Sequence, residues 1–191
     1  MFIWNYGYRK KYMYELENKV ATEKLTDITS DERIDRAQGI GLFYTQLVHG
    51  ISPIFTDYVS SVSSRHSVVV FVSIKSLPIG KVSPEERFLF ERVKPKEMIF
   101  RCIVTHGYKD SRKEQETLEE MLVNQLKEFV RNEDGEEMQR EVTLVDHAQR
   151  DGVVYLMGKS LVMAKDGSKL VKKLTIDCLY NWLIKQVCEA A

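Results

Sequence analysis

The apolar run between His66 and Leu77 restricts the fold of this chain more than any other part of its sequence. The run contains six large apolar residues, which are Val68, Val69, Val70, Phe71, Val72 and Ile74. Such a β-branched run predicts a strand that is covered on both faces, as strands of parallel or mixed sheets are. Pro78 and Gly80 follow the run and predict that the strand ends there.

Other segments have the patterns of strands and helices. Further strands are predicted over residues 39–48, 87–93, 98–104 and 153–157. Helices are predicted over residues 8–24, 54–62, 114–131 and 169–187. Residues 161–164 either continue the last strand or pair with it. About five strands and four helices in mixed order predict an α/β fold, with helices packed on the faces of a mixed, mostly parallel sheet.

Three local features refine these predictions. An apolar stripe on the first helix is formed by residues that recur every four positions, Tyr8, Tyr12, Leu16 and Val20. Ser52 is a candidate cap for the second helix, and Pro53 fits its first turn. The charged run NEDGEEMQR at residues 132–140 has no periodicity, and it predicts a mobile surface loop in the region of residues 132–150.

The composition excludes some classes of function. The 28 basic and 28 acidic residues balance, which argues against a nucleic-acid-binding protein because such a protein needs a basic excess. Cys102 and Cys178 lie in apolar surroundings, which predicts buried thiols in a reducing compartment rather than disulfides. No pair among the four histidines has the spacing of metal ligands, so no metal site is predicted.

Nothing in the sequence favours catalysis. Gly39-x-Gly41 lacks both the third glycine and the following helix of a dinucleotide fingerprint, and a tight turn explains it better. Gly158-Lys159-Ser160 resembles the end of a phosphate loop, but a bulge between two strand pieces is the better interpretation. The adjacent Glu85 and Glu86 do not converge on one substrate, and no G-x-S-x-G elbow is present. No catalytic residue is predicted.

Polar residues at strand ends are the one positive indication of a ligand. Lys75 and Ser76 close one predicted central strand, and another is followed by His106, Tyr108 and Lys109. Ligands of open α/β sheets bind outside the carboxyl ends of the strands. A small anionic ligand such as a nucleotide is therefore one hypothesis for this edge, and ordinary loop residues are the alternative.

The first twelve residues resemble the cytoplasmic end of a membrane helix. An apolar stub at residues 2–4 is followed by tyrosines and then by a basic cluster at residues 9–11. The stub is too short to span a bilayer, which needs roughly 20 apolar residues. The alternative is an ordinary N-terminal arm with a basic turn.

Several strings together are similar to the cytosolic C-terminal part of the KUP/HAK/KT potassium transporters, most closely the plant members. The strings are WNYGYRKKY at residues 4–12, GIGLFY at 39–44, LVHGISPIF at 47–55, PEERFL at 84–89, GYKD at 107–110, YLMGKS at 155–160 and AKDGS at 164–168. Residues 132–150 depart from this family because they are much shorter than the acidic linker common in plant members.

The resemblance implies a regulatory domain on the cytoplasmic face of a membrane transporter. The full protein would have about a dozen membrane helices and would move potassium together with protons, through residues outside this chain. Residues 1–30 would be the end of the last membrane helix and a juxtamembrane linker helix, with juxtamembrane residues Trp4, Arg9, Lys10 and Lys11. Residues 31–191 would form the cytosolic α/β domain. The partners would be the membrane domain of the same transporter and a second copy of the chain.

The resemblance also implies a second hypothesis, since bacterial relatives can respond to an adenine-based second messenger. An adenine nucleotide effector would bind near four residues, Lys75, Ser76, Arg101 and Tyr108. No resident cofactor is predicted. A stand-alone α/β enzyme is the third hypothesis, and no motif supports it.

Overall fold

The structure is a computed structural model, and it describes residues 2–20, 25, 28, 31, 33–47, 50–93, 98–110, 115–133 and 138–157. The chain divides into two compact units. One comprises Met1–Lys19 with Gly158–Ala191, and the other comprises Val20–Met157. In the first unit, helix α1 covers Phe2–Glu17. The predicted last helix at residues 169–187 and the segment 161–164 lie outside the described residues.

The second unit contains five strands, three helices and one short 3-10 turn among its described residues. The strands are β1 (Asp35–Tyr44), β2 (Ser64–Leu77), β3 (Phe88–Arg92), β4 (Ile99–Gly107) and β5 (Val153–Met157). The helices are α2 (Pro53–Val62), α3 (Gln115–Asn132) and α4 (Met138–Asp151), and the 3-10 turn covers Pro84–Glu86.

The five strands form one sheet in the order β3-β4-β2-β1-β5. Strands β4, β2, β1 and β5 are parallel to one another, and β3 pairs antiparallel with β4. Parallel neighbours need a crossover connection, and α2 lies in the connection between β1 and β2. Helices α3 and α4 lie in the connection between β4 and β5. The predicted fold class, a mixed and mostly parallel sheet with helices, is confirmed.

The β-branched run of β2 lies at the centre of this sheet and is covered on both faces. One face packs against α3 and α4, with a core that includes Val68, Val70, Val72, Phe100, Cys102, Leu122, Leu126 and Val145. The other face packs against α2, with a core that includes Phe43, Phe55, Val59, Val69, Phe71 and Ile99. The alternation of side chains along β2 therefore supplies both cores from one strand.

The core on the α2 face is an aromatic cluster. Phe55 of α2 lies edge-on to Phe43 of β1 and to Phe71 of β2, with ring centroids 5.2 and 5.3 Å apart. Tyr58, one turn further along α2, lies 5.5 Å from the Phe43 ring and also stacks on His66. Edge-to-face pairs of this kind add to the stability that area burial provides.

Three predictions about helical regions need correction. Helix α1 ends at Glu17 rather than at residue 24, so Val20 is outside it and bonds through its backbone to Ile51. Tyr12 and Leu16 are 39% and 36% exposed, so the predicted stripe is not a buried face. The region predicted as a mobile loop contains α4 from Met138 onward, because that helix packs on α3 and β1.

The predicted turn at Gly39 is a bulge inside β1. The pairing between β1 and β2 shifts register between Ala37 and Ile40, and Gly39 has a φ of 98°. A β-carbon on Gly39 would lie 2.7 Å from the backbone oxygen of Gly152. Glycine is required here by both the positive φ and the close approach of the chain that enters β5.

Candidate functional site

The candidate site is the edge of the sheet where β2 and β4 end. In the parallel register, Lys75 lies opposite Thr105 and Ser76 lies opposite His106. The Ser76 hydroxyl and the His106 Nε2 atom are 2.9 Å apart, so the two strand ends are joined by a side-chain hydrogen bond. The structure thus brings together residues that the sequence placed at the ends of two separate strands.

Lys75 and Ser76 belong to opposite faces of this edge. Val70 and Val72 face the core under α3 and α4, and alternation places Ser76 on the same side of β2. Lys75 is four residues after Phe71, so alternation places it on the same face as Phe71, the face that α2 covers. Both residues are exposed. A ligand that contacted both side chains would therefore have to straddle the edge of the sheet.

Tyr108 and Lys109 continue from β4 at the same edge. Tyr108 is 71% exposed, and the Lys109 ammonium lies 5.8 Å from the centre of its ring. Their backbone N–H groups donate to the carbonyl oxygens of Ile79 and Gly80, at 3.0 and 2.9 Å. These bonds hold the loop after β2 against the end of β4.

Arg101 does not belong to this group. It lies opposite Phe71, four residues before Thr105, which places it about 13 Å back along the strand at roughly 3.3 Å per residue. Its guanidinium donates to Glu91 on β3 at 2.7 Å and to the carbonyl of Gly50 at 3.2 Å, and the residue is 8% exposed. Its predicted place beside Lys75, Ser76 and Tyr108 is wrong, because its guanidinium is bound by Glu91 of β3 and by the Gly50 carbonyl between β1 and α2.

An acidic residue that the sequence analysis did not single out, Asp110, organises the edge. Its Oδ2 atom accepts hydrogen bonds from the N–H groups of Gly107 at 2.8 Å and Val82 at 3.4 Å, and we refer to these two bonds as the Asp110 clamp. The bond from Gly107 is the main cause that lowers the pKa of Asp110, with smaller contributions from Val82, Arg87 and Lys81. No local pattern indicates the clamp, because one of its two donors, the N–H group of Val82, lies 28 residues before Asp110 in the sequence.

A second polar contact joins β5 to α3. The Tyr155 hydroxyl donates to the Glu119 carboxylate at 2.5 Å. Burial and this bond raise the pKa of Tyr155 to about 12. Burial, and then the Glu119 charge, also raise the pKa of Tyr44. No sequence pattern connects Glu119 with Tyr155, because their contact depends on the strand order.

The exposed groups at the β2 and β4 ends suit an anion better than a metal. Lys75, Ser76 and Lys109 are donors, and the acidic Asp110 is already engaged by backbone N–H groups. Among the described residues, no three side chains of histidine, cysteine, aspartate or glutamate lie together in a way that could hold a metal ion.

The four predicted juxtamembrane residues, Trp4, Arg9, Lys10 and Lys11, all lie in α1. Arg9 and Lys10 are exposed. In the part of the chain that the structure describes, none of the helices combines the length and the apolar composition that a bilayer crossing requires.

Comparison with known proteins identifies the family. The family model described as "K+ potassium transporter C-terminal domain" matches residues 38–191. The chain is 35% identical to Potassium transporter 5 of Manihot esculenta, an alignment that covers 96% of the chain and 32% of the relative. It is 34% identical to Potassium transporter 5 of Arabidopsis thaliana, with 99% of the chain and 31% of the relative covered.

A third relative shows that the aligned length varies. Potassium transporter 1 of Arabidopsis thaliana is 36% identical over 193 residues, whereas the alignment with the Manihot protein extends over 257 residues. The chain spans 27% to 32% of the length of these curated relatives. No solved structure matches it. The match over residues 38–191 and these identities show that the chain belongs to the family of potassium transporter C-terminal domains.

Proposed function

We propose that this chain is the regulatory and dimerisation domain of a potassium transporter and lies at the cytoplasmic face of the membrane. The observation that supports this most is the family match over residues 38–191, together with relatives that are named potassium transporters and that the alignment covers to only about a third of their length. In this proposal the remainder of the full protein moves potassium, coupled to protons. The α/β unit then supplies assembly and control.

The exposed basic residues of α1 support a position next to the membrane. Arg9 and Lys10 are exposed on this helix, close behind the apolar residues 2–4. Basic residues at the cytoplasmic end of a membrane helix fix its orientation and attract anionic lipids. The role proposed for α1 is therefore to join the membrane part to the α/β unit.

The edge of β5 that is unpaired among the described residues supports dimerisation with a second copy. Within the described residues β5 pairs only with β1, and its sequence VVYLM has no charge, proline or glycine. Val154, Tyr155 and Met157 are 43%, 47% and 70% exposed. The opposite edge strand, β3, carries Glu91 and Arg92, and charges are the usual protection of an edge against pairing. An edge without this protection fits antiparallel pairing about a two-fold axis.

A replacement experiment tests the transporter role. This chain would replace the corresponding C-terminal part of Potassium transporter 5 of Arabidopsis thaliana, and rubidium uptake would be measured in cells that lack their own potassium uptake. We expect the hybrid to restore most of the uptake that is lost when the same part is deleted. Uptake no higher than that of the truncated protein would contradict the proposal.

Light scattering at several concentrations tests the dimer. We expect the mass of two chains for the natural sequence and the mass of one chain for Val154→Lys, since a lysine on the edge opposes pairing. Leu89→Lys on β3 is the matched control, because Leu89 is exposed on the other edge. A monomeric natural chain, or a Val154→Lys variant that remains dimeric, would contradict assembly through β5.

As a second function we propose that an adenine nucleotide binds at the ends of β2 and β4. The specific observation in its favour is that Lys75, Ser76 and Tyr108 are all exposed at this edge, without Arg101, so that a nucleotide straddling the edge could contact them. Ligand binding raises the melting temperature by mass action, so a panel of adenine nucleotides at millimolar concentration tests it. We expect a rise that Lys75→Ala reduces; no rise with any member of the panel rejects this function.

A further inference from the structure

The chain contains two serine-proline pairs, and the structure places them in opposite environments. Its four prolines follow Ser52, Leu77, Ser83 and Lys94, so Ser52 and Ser83 are the hydroxyl residues that precede a proline. Ser52 is 1% exposed at the start of α2. Ser83 is exposed in the loop between β2 and β3, immediately before the 3-10 turn Pro84–Glu86.

The backbone at Ser83 has the form that a protein kinase needs. Its φ and ψ are −59° and 139°, which is extended, and its side chain makes no capping hydrogen bond to the turn that follows. An extended, exposed serine with proline at the next position fits the substrate groove of a proline-directed kinase. Ser52 has a similar extended backbone, with φ of −65° and ψ of 138°, but it is not accessible.

We propose that Ser83 is a phosphorylation site for a proline-directed serine/threonine kinase, and that phosphoserine at this position loosens the Asp110 clamp. In the reaction, Ser83 Oγ forms a bond to the γ-phosphorus of ATP, and the bond from that phosphorus to the β,γ-bridging oxygen breaks. The products are phosphoserine and ADP, and the hydroxyl proton passes to the base of the kinase. The kinase and ATP are the co-reactants.

The effect on the clamp follows from the charges around the loop. Ser83 directly follows Val82, whose N–H donates to Asp110 Oδ2, so a phosphate on Ser83 comes within about a Debye length, roughly 8 Å, of that carboxylate. A phosphate adds a charge of about −1.5 to −2 at pH 7. Lys81 and Arg87, which attract the Asp110 carboxylate, would be drawn toward the phosphate instead.

The acidic residues of the turn act in the same direction. Glu85 and Glu86 are exposed and lie two and three residues beyond Ser83. A phosphate on Ser83 would therefore add its charge to a segment that already carries two carboxylates close in sequence. Repulsion among these charges therefore favours opening of the two bonds of the clamp.

The first experiment maps the phosphate. The full chain is incubated with ATP and a proline-directed kinase, and modified residues are identified by mass spectrometry. We expect phosphate on Ser83 and none on Ser52, although a synthetic peptide of residues 47–57 should be phosphorylated because it lacks the burial of the folded chain. Phosphate on Ser52 of the folded chain, or none on Ser83, overturns the proposal.

Two variants define the class of kinase. Ser83→Ala removes the acceptor, and Pro84→Ala keeps the acceptor but removes the recognition element, so both should lose the modification. Circular dichroism verifies that both variants fold. If Pro84→Ala is phosphorylated as fast as the natural chain, the kinase is directed by Glu86 rather than by proline, and the assignment to this class is wrong.

Hydrogen exchange tests the effect on the clamp. In the phosphorylated chain we expect the amides of Val82 and Gly107 to exchange about fivefold faster, the factor that corresponds to the loss of one hydrogen bond of average strength. The amide of Ser63, which donates to Val59 at the end of α2, is the internal control and should not change. Unchanged exchange at Val82 and Gly107 would overturn the loosening.

Discussion

Arg92 of β3 donates to Glu141 of α4, with 2.7 Å between the guanidinium Nη2 and the carboxylate Oε2. The same guanidinium also donates to Glu133, just after α3, and its central carbon lies 4.9 Å over the ring of Phe100. One side chain therefore joins an edge strand to the ends of two helices. This contact fixes the position of the α3–α4 pair on the sheet.

Replacing Arg92 by methionine should lower the free energy of unfolding by about 3 kcal/mol, as expected when one member of a buried ion pair is removed. The Arg92 side chain is 11% exposed and that of Glu141 is 21% exposed, so methionine would leave the Glu141 carboxylate without its cation in a largely buried place, whereas Glu133 is 34% exposed and better hydrated. Urea unfolding followed by circular dichroism measures the change. Arg33→Met is the control, because Arg33 forms an exposed pair with Asp31, and solvent screening leaves such a pair with little effect on stability. Equal losses in the two variants would contradict this interpretation.

Gly39→Ala should destabilise the chain by about 1 to 3 kcal/mol, which is typical of a strained backbone position. Gly39 has a φ of 98°, and an added β-carbon would lie 2.7 Å from the Gly152 oxygen. Gly152→Ala is a matched control, because Gly152 has a φ of 124° but meets no atom within 4 Å of an added β-carbon. Thermal unfolding of both variants separates the backbone strain from the steric clash. If Gly152→Ala costs as much as Gly39→Ala, the close contact has no effect of its own.

Most of the sheet could be predicted from the sequence because its buried strands leave a local pattern. The β-branched residues of β2 indicate burial on both faces, and the alternating residues of β3 indicate a half-exposed strand. The predicted strand ends are less accurate. The strand predicted to end at residue 104 continues to Gly107, because β2 beside it continues to Leu77 and pairs with it. That pairing joins residues 30 positions apart and leaves no local pattern.

The errors concern charged residues whose partners are distant in sequence. Arg101 looked free for a ligand, but Glu91 on the neighbouring strand binds it. Residues 132–150 looked like a solvated loop, although Glu133 and Glu141 bind Arg92 and α4 buries Val145. A charged residue is usually exposed, so the sequence favours the solvated interpretation unless the strand order is known. The same limit explains why Asp110 and the Tyr155–Glu119 contact were not predicted.

Asp110→Asn should reduce stability more at pH 7 than at pH 3. The pKa of Asp110 is lower in the folded chain than the ordinary value of 3.8, so its carboxylate stabilises the fold above that value. This contribution is lost as the pH falls below 3.8 and through the lower pKa of the folded state. Urea unfolding at pH 7, 4 and 3 measures the difference between the variant and the natural chain.

Salt separates the two causes of the Asp110 effect. The main cause is the hydrogen bond from Gly107, which salt screens little, whereas attraction to Lys81 and Arg87 is weakened by screening. Most of the stability difference between Asp110→Asn and the natural chain at pH 7 should therefore persist in roughly 0.5 M salt, where the Debye length is only about 4 Å. A difference that disappears in salt, or that grows as the pH falls, would contradict the role assigned to the clamp.

Tyr155→Phe should make the chain less sensitive to alkaline pH. The pKa of Tyr155 is about 12 in the folded chain against an ordinary value of 10.0, so the folded state keeps a proton that the unfolded state loses between these values. Stability from this group is therefore complete below pH 10 and is lost as the pH rises toward 12. The variant lacks the hydroxyl and therefore does not lose this stability in alkali. The difference in free energy of unfolding between the variant and the natural chain should thus shrink from pH 9 to pH 12.

At pH 7 the free energy of unfolding of the same variant should fall by about 1 kcal/mol. A hydrogen bond to the charged Glu119 is stronger than average. However, Tyr155 is nearly half exposed, and solvent screening weakens the bond. Tyr108→Phe, which removes a hydroxyl from an exposed tyrosine, is the matched control for both measurements. If Tyr155→Phe and Tyr108→Phe gave the same dependence on pH, the Tyr155–Glu119 bond would not be the cause of the raised pKa. Because this bond joins edge strand β5 to α3, its loss should also accelerate amide exchange in β5 before it affects β2 at the centre of the sheet.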